Sequence, residues 1–125
     1  MRDYVIGCAS IFENHFKKHK VKDTYIEEIR VPALSLNELI EKYQIYQYNL
    51  LQIDTEGYDG KIILNLELTT YKFDIIKFEH INLSIQEIKQ VKWHLLRQFY
   101  IVGKDKDDLI AIKINVFIKF LFLSK

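Results

Sequence analysis

Short apolar runs alternate along the chain with segments whose apolar residues recur at helical spacing. Two of the helical segments begin with a capping box, in which a serine and a glutamate three residues later exchange hydrogen bonds: Ser35 with Glu38, and Ser84 with Glu87. A third, shorter helix is predicted over Asp59–Leu66. Strands are predicted over Tyr25–Val31, Asn49–Asp54, Phe73–Glu79, Phe99–Gly103 and Asp108–Phe117.

This order of elements predicts an α/β fold. Strands that alternate with helices favour a mostly parallel sheet covered by helices. The last two predicted strands are joined by the short polar turn Lys104–Asp107, so they are expected to form an antiparallel hairpin that closes the sheet. Residues 1–22 give no clear assignment.

The most apolar stretch is Ile112–Leu123, which Lys113, Asn115 and Lys119 interrupt. It is shorter than the roughly 20 residues that a membrane-spanning helix needs. We expect the apolar tail, residues 115–125, to be part of a buried or paired strand or an interfacial segment.

Length, net charge and cysteine content exclude some classes of protein. A length of 125 residues suits one domain, and a formal net charge of +1 argues against a nucleic-acid binder that neutralises phosphates. The single cysteine, Cys8, has no internal partner for a disulfide, and the chain starts without a signal-peptide pattern. We therefore expect a cytoplasmic location.

Acidic residues follow two consecutive predicted strands. Asp54 and Glu56 come after the strand Asn49–Asp54, and Glu79 and His80 end the next one. Because the carboxyl ends of parallel strands meet at one edge of a sheet, these side chains are expected to face one crevice. Such a cluster suits ligand hydroxyls, a cation or a cationic ligand. The alternative is that the acids cap the following helices, as Asp59 would at a helix start.

Other chemistry has less support. His15 and His19 would share a helix face, but a third metal ligand is not apparent, and we predict no metal site. Cys8 is expected to be an inert buried thiol rather than a nucleophile. The four glycines form no phosphate-binding loop, although Gly57 suits a turn or the close approach of a ligand.

The sequence around the acids resembles one known family. The stretch Leu50–Asp59, LLQIDTEGYD, is similar to the strand motif of the FkbM family of S-adenosylmethionine-dependent methyltransferases. The segments Val31–Ile40, Ile75–His80 and Asp107–Ile112 resemble flanking parts of the same family, so that the resemblance covers nearly the whole chain. It implies a Rossmann-like fold, S-adenosylmethionine as the cofactor, and O-methylation of a small-molecule or sugar acceptor.

The resemblance also implies roles for individual residues. It places Asp54, Glu56, Glu79 and His80 at the catalytic cleft, and Asp54 and Gly57 on the cofactor. The family's glycine-rich cofactor loop has no counterpart in this sequence, which is expected to represent the carboxyl-terminal portion of such a domain over residues 1–125.

Without the strand that carries this loop, the strand Asn49–Asp54 would expose an open edge for a second copy or another chain. The alternative function is therefore a non-catalytic fragment or an interaction module that pairs through this edge. Metal-dependent hydrolysis is disfavoured because the chain has no H-x-H pair.

Overall fold

The computed structural model describes Ser10 and residues 20–123. The chain divides into two compact units, Met1–Ala33 and Leu34–Lys125. Cys8, His15 and His19 lie outside the described residues, so their predicted roles stay predictions.

In the first unit, the described residues form a single turn of 3₁₀ helix at Asp23–Tyr25, followed by chain without regular structure. The predicted strand Tyr25–Val31 is therefore wrong. Strand formers adopt a ladder only where a neighbouring strand accepts their hydrogen bonds, and this segment pairs with none of the described strands. Ile29 and Val31 are 69% and 68% exposed.

The second unit contains four helices and four strands among its described residues. The helices are α1 (Leu36–Tyr43), α2 (Asp59–Asn65), α3 (Ile85–Arg97) and α4 (Ile114–Leu123). The strands are β1 (Gln47–Ile53), β2 (Lys72–Glu79), β3 (Tyr100–Asp105) and β4 (Asp108–Lys113). Both predicted capping boxes are confirmed, at the start of α1 and of α3.

The described strands form one mixed sheet in the order β1-β2-β4-β3. β1 and β2 are parallel, β2 and β4 are antiparallel, and β3 and β4 form the closing hairpin. The α/β class and the antiparallel hairpin are confirmed. The parallel part of the described sheet consists of β1 and β2, because the segment expected as an earlier strand forms none.

The hydrophobic core includes one face of the sheet and the inner sides of α2 and α3. Its fully buried members include Ile76 and Phe78 of β2, Ile63 of α2, and Val91 and Leu95 of α3. A buried hydrogen bond of 2.6 Å, from the Tyr100 hydroxyl to the Phe73 carbonyl oxygen, ties the start of β3 to the start of β2. Burial raises the pKa of Tyr100 to about 12, so this hydroxyl remains a donor throughout the neutral range.

The apolar tail differs from the expected strand. β4 ends at Lys113, which pairs with Tyr100, the first residue of β3. The Ile114 amide donates to the Phe99 carbonyl oxygen at 2.9 Å, and beyond it β4 has no further strand residue to pair with on that side. A helix then satisfies the backbone internally, and α4 results. This helix leaves apolar side chains exposed to solvent, and the exposed fraction reaches 82% for Leu123. None of the described helices is both long and apolar enough to cross a bilayer.

Replacing Ser84 with alanine tests how much the capping box of α3 contributes. The substitution removes the acceptor for the Glu87 amide, and we expect the free energy of unfolding to fall by about 1 kcal/mol at pH 7. The contacts with Ser84 also lower the pKa of Glu87, so the contribution is present above the ordinary glutamate value and is lost as pH falls through the lowered one.

The measurement is urea denaturation followed by circular dichroism, at pH 7 and at pH 3. Thr69→Ala, at an exposed turn position, is the control and is expected to change little. An equal penalty for Ser84→Ala at both pH values would contradict the assigned role of Glu87.

Candidate functional site

The candidate site lies where β1 and β2 end. Ile53 of β1 pairs with Phe78 of β2 in parallel register, so the segments that follow the two strands start side by side. The first is the loop of residues 54–58, which leads into α2. The second is the loop of residues 80–84, which leads into α3. The first loop carries Asp54 and Glu56, and Glu79 ends the strand that leads into the second loop, so the predicted acids lie at one edge of the sheet.

The Asn82 side chain joins the two loops. Its amide nitrogen Nδ2 donates to Oε2 of Glu79 at 2.8 Å and to Oε2 of Glu56 at 3.1 Å. All three side chains are half-buried. An ionised carboxylate only accepts hydrogen bonds, so the nitrogen end of the amide must face the two acids. The structure thus brings Glu56 and Glu79 together through one bridging residue.

Glu79 is the acid whose ionisation the site perturbs. Burial is the main cause that raises its pKa, and the charges of Glu56, Asp54 and Asp59 raise it further. The hydrogen bond from Asn82 opposes this increase because it stabilises the ionised form. The pKa of Glu79 is therefore higher than that of an ordinary glutamate, and its ionised carboxylate is a correspondingly stronger base.

Asp54 occupies the start of the first loop and is exposed to solvent. It influences Glu79 through its charge. A solvent-facing carboxylate beside a half-buried one gives the site an accessible hydrogen-bond acceptor at its entrance.

The first loop has an unusual backbone. Glu56 and Gly57 have φ values of 55° and 108°, both on the left-handed side of the Ramachandran plot. Glycine adopts such a conformation without a steric penalty, whereas other residues pay for it. The turn directs the chain back toward α2, with the Glu56 side chain reaching Asn82.

The Asp59 side chain stabilises this turn through hydrogen bonds. It is fully buried in the first turn of α2, and its Oδ2 accepts hydrogen bonds from the Thr55 hydroxyl at 2.8 Å and the Gly57 amide at 3.3 Å. Its other oxygen, Oδ1, has no hydrogen-bond partner. Asp59 lies in the first turn of α2 as expected, but Tyr58 holds the N-cap position, and the Asp59 carboxylate accepts from the preceding loop instead of capping the helix.

His80 hydrogen-bonds to a different part of the chain from the acids. Its backbone amide donates to the Asp107 carbonyl oxygen at 3.0 Å, and its ring nitrogen Nδ1 contacts the same oxygen. A carbonyl oxygen only accepts, so Nδ1 carries the proton, and Nε2 of the neutral ring is left as an acceptor. His80 is thus tethered to the turn between β3 and β4 rather than to the Glu56–Asn82–Glu79 bridge.

Sequence reasoning missed Asn82 and the anchoring role of Asp59. Asn82 lies three residues after Glu79, but an isolated asparagine in a loop carries no signal of the acid that it contacts on another loop. The described residues contain no group of three or more His, Cys, Asp or Glu side chains arranged to hold a metal ion.

Alanine at position 57 would test the backbone of the first loop. We expect Gly57→Ala to lower the free energy of unfolding by about 1–2 kcal/mol, because alanine at a φ of 108° is strained. Gly103→Ala is the matched control, since a Cβ at that position meets nothing within 4 Å. Urea denaturation of both variants makes the comparison, and equal stability of the two would contradict the strain assigned to Gly57.

One known family matches this chain. Residues 4–112 match the family model described as the methyltransferase FkbM domain, which covers most of the chain and includes both loops of the candidate site. Searches of curated proteins and of solved structures gave no match. By its family match, the chain belongs to the FkbM methyltransferase family.

Proposed function

We propose that the chain takes part in S-adenosylmethionine-dependent O-methylation of a small molecule or sugar, at the loops that follow β1 and β2. The observation that carries the proposal is the pair of carboxylates, Glu56 and Glu79, which Asn82 joins at the carboxyl end of parallel strands. In α/β sheets this end is where ligands bind. The family match supplies the class of reaction.

The loop after β1 suits part of the cofactor. Asp54 offers an exposed carboxylate, which accepts hydrogen bonds from ribose hydroxyls or an ammonium group. The positive φ of Gly57 at a residue without a side chain permits close approach of a ligand to the backbone. When bound, S-adenosylmethionine supplies an electrophilic methyl group.

The described residues contain no glycine-rich turn of the kind that cradles a nucleotide, since their glycines are Gly57, Gly60 and Gly103. Asp54 and Gly57 therefore account for only part of a cofactor site. We expect weak cofactor binding by the chain alone.

The acids act on the acceptor. Glu79, whose raised pKa makes it a stronger base than an ordinary glutamate, takes the proton of the acceptor hydroxyl as the hydroxyl oxygen attacks the methyl group. Asp54 and Glu56 accept hydrogen bonds from neighbouring hydroxyls and fix the orientation of the acceptor. His80 presents Nε2 as a further acceptor at the edge of the site.

Calorimetric titration with S-adenosylmethionine, followed by transfer of its labelled methyl group to a set of monosaccharides and small alcohols, tests the proposal. Weak binding that Asp54→Asn reduces, together with labelled product, is the expected result. Absence of heat at millimolar cofactor would rule out cofactor binding by this chain alone. Binding without labelled product would argue against O-methylation of these acceptors.

A second candidate, an interaction module that pairs through β1, has one observation in its favour. β1 lies at one edge of the described sheet, and residues 44–53 include no charged side chain. Edge strands without charges are templates for pairing with another strand. The expected result for this candidate is a dimer in light scattering that Tyr48→Lys dissociates, whereas a monomer at high concentration would count against pairing with a second copy.

A further inference from the structure

Asn82 is fixed in place by the residues on either side of it. The following residue, Leu83, is buried and its amide donates to the His80 carbonyl oxygen at 3.1 Å. Ser84 then caps α3. The backbone of the second loop is therefore pinned immediately after Asn82, and its side chain extends from a defined position toward the acids.

An amide is well suited to join two carboxylates. Its nitrogen carries two protons that point in different directions, so one group donates to both Glu56 and Glu79. A hydroxyl has one proton, and lysine or arginine would cancel part of the negative charge. Asparagine thus connects the acids and leaves their charges for the reaction.

We propose that Asn82 is the positioning residue of this site, holding Glu56 and Glu79 in one fixed arrangement for the acceptor. The inference rests on the proposed function, because a fixed arrangement of the two acids affects the reaction only if an acceptor hydroxyl contacts both of them. The contacts on which it depends, hydrogen bonds from one nitrogen to Glu56 of the first loop and to Glu79 at the end of β2, belong to the chain itself.

A purely structural role for Asn82 makes a different prediction. If Asn82 only tethers two loops, its loss should lower stability and leave kcat unchanged in a variant that still folds. Asn37 offers a matched control, because it is also half-buried and also bridges separate segments. Its Nδ2 donates to the Asn65 carbonyl oxygen at 2.9 Å, and its Oδ1 accepts from the Glu67 amide at 3.3 Å.

The experiment is a pH titration of the side-chain carboxyl carbon of Glu79 by ¹³C nuclear magnetic resonance, with Glu79→Gln to assign the signal. In Asn82→Ala the pKa of Glu79 should rise above the wild-type value, because the hydrogen bond that stabilises its ionised form is lost. In Asn37→Ala it should stay at the wild-type value. An unchanged Glu79 titration in a folded Asn82→Ala variant would overturn the proposal.

A second readout needs no variant at position 82. In the wild-type chain, the side-chain amide protons of Asn82 should shift with the same midpoint as Glu79, and this step should disappear in Glu79→Gln. Asn82 side-chain amide signals that do not change as Glu79 titrates would also overturn the proposal. The readout remains decisive if Asn82→Ala does not fold.

A methyl-transfer assay distinguishes a failure of this inference from a failure of the proposed function. With a working acceptor, Asn82→Ala should lower kcat roughly tenfold, with Asn37→Ala near wild type, because misplaced acids slow the reaction. If the wild-type chain transfers no methyl group but the titrations are linked as expected, the proposed function fails and the coupling of Asn82 to the acids stands.

Discussion

Replacing Glu79 with glutamine is expected to reduce methyl transfer by about 100-fold or more, the usual loss when a group that takes a proton is removed. Glutamine keeps the size of the side chain and an oxygen that can accept from Asn82, so the loss would reflect the missing base. The measurement is the rate of labelled methyl transfer at saturating cofactor. Glu67→Gln, exposed on the connection that leads to the opposite end of β2, is the control. Full activity of Glu79→Gln would remove Glu79 from the mechanism.

The same substitution should increase stability at neutral pH. The raised pKa of Glu79 means that the folded chain binds more protons than the unfolded chain between the ordinary value of 4.5 and the raised value. The free energy of unfolding therefore falls as pH rises through this interval, and the penalty persists above it. Glu79→Gln removes the penalty, so its Tm should exceed that of the wild type at pH 7. A lower Tm at pH 7 would contradict this assignment.

Asp59→Ala is expected to lower the free energy of unfolding by about 3 kcal/mol. The substitution leaves the Thr55 hydroxyl and the Gly57 amide without their buried acceptor, and unsatisfied buried donors are costly. The first loop would lose the contacts that hold its left-handed turn. Urea denaturation gives the free energy, and the amide signals of residues 55–57 report the order of the loop. Asp105→Ala, at an exposed position of β3, is the control.

An Asp59→Ala variant as stable as Asp105→Ala would show that the turn is held by other contacts. Asp59→Asn gives a finer comparison, because it keeps one oxygen acceptor in nearly the same volume. It should fall between alanine and the wild type, since a neutral amide oxygen accepts a hydrogen bond more weakly than a carboxylate oxygen.

Those parts of the fold that local chemistry determines were predictable. The capping boxes at Ser35 and Ser84 specify helix starts through contacts within four residues, and both helices begin as expected. β1 and β2 follow from apolar runs that end in acids. Their parallel pairing explains why Glu56, on the loop after β1, lies near Glu79, the last residue of β2, although the two are far apart in sequence.

Other features depend on partners that a single sequence does not reveal. The segment Tyr25–Val31 has strand-forming residues but forms no strand, and the chain after Lys113 becomes helical where its partner β3 begins. Asn82 gains its significance from Glu56, which is 26 residues away. Such contacts arise from the paths of two loops and leave no periodic signal.

Residue-resolved mapping of the cofactor by ¹⁵N–¹H nuclear magnetic resonance tests directly where the site lies. On addition of S-adenosylmethionine, we expect chemical-shift changes to concentrate at residues 54–57 and 79–82, and Asp54→Asn to weaken them. Shifts confined to the hairpin of β3 and β4, or to α4, or no shifts at millimolar cofactor, would contradict the placement of the site at the carboxyl ends of β1 and β2.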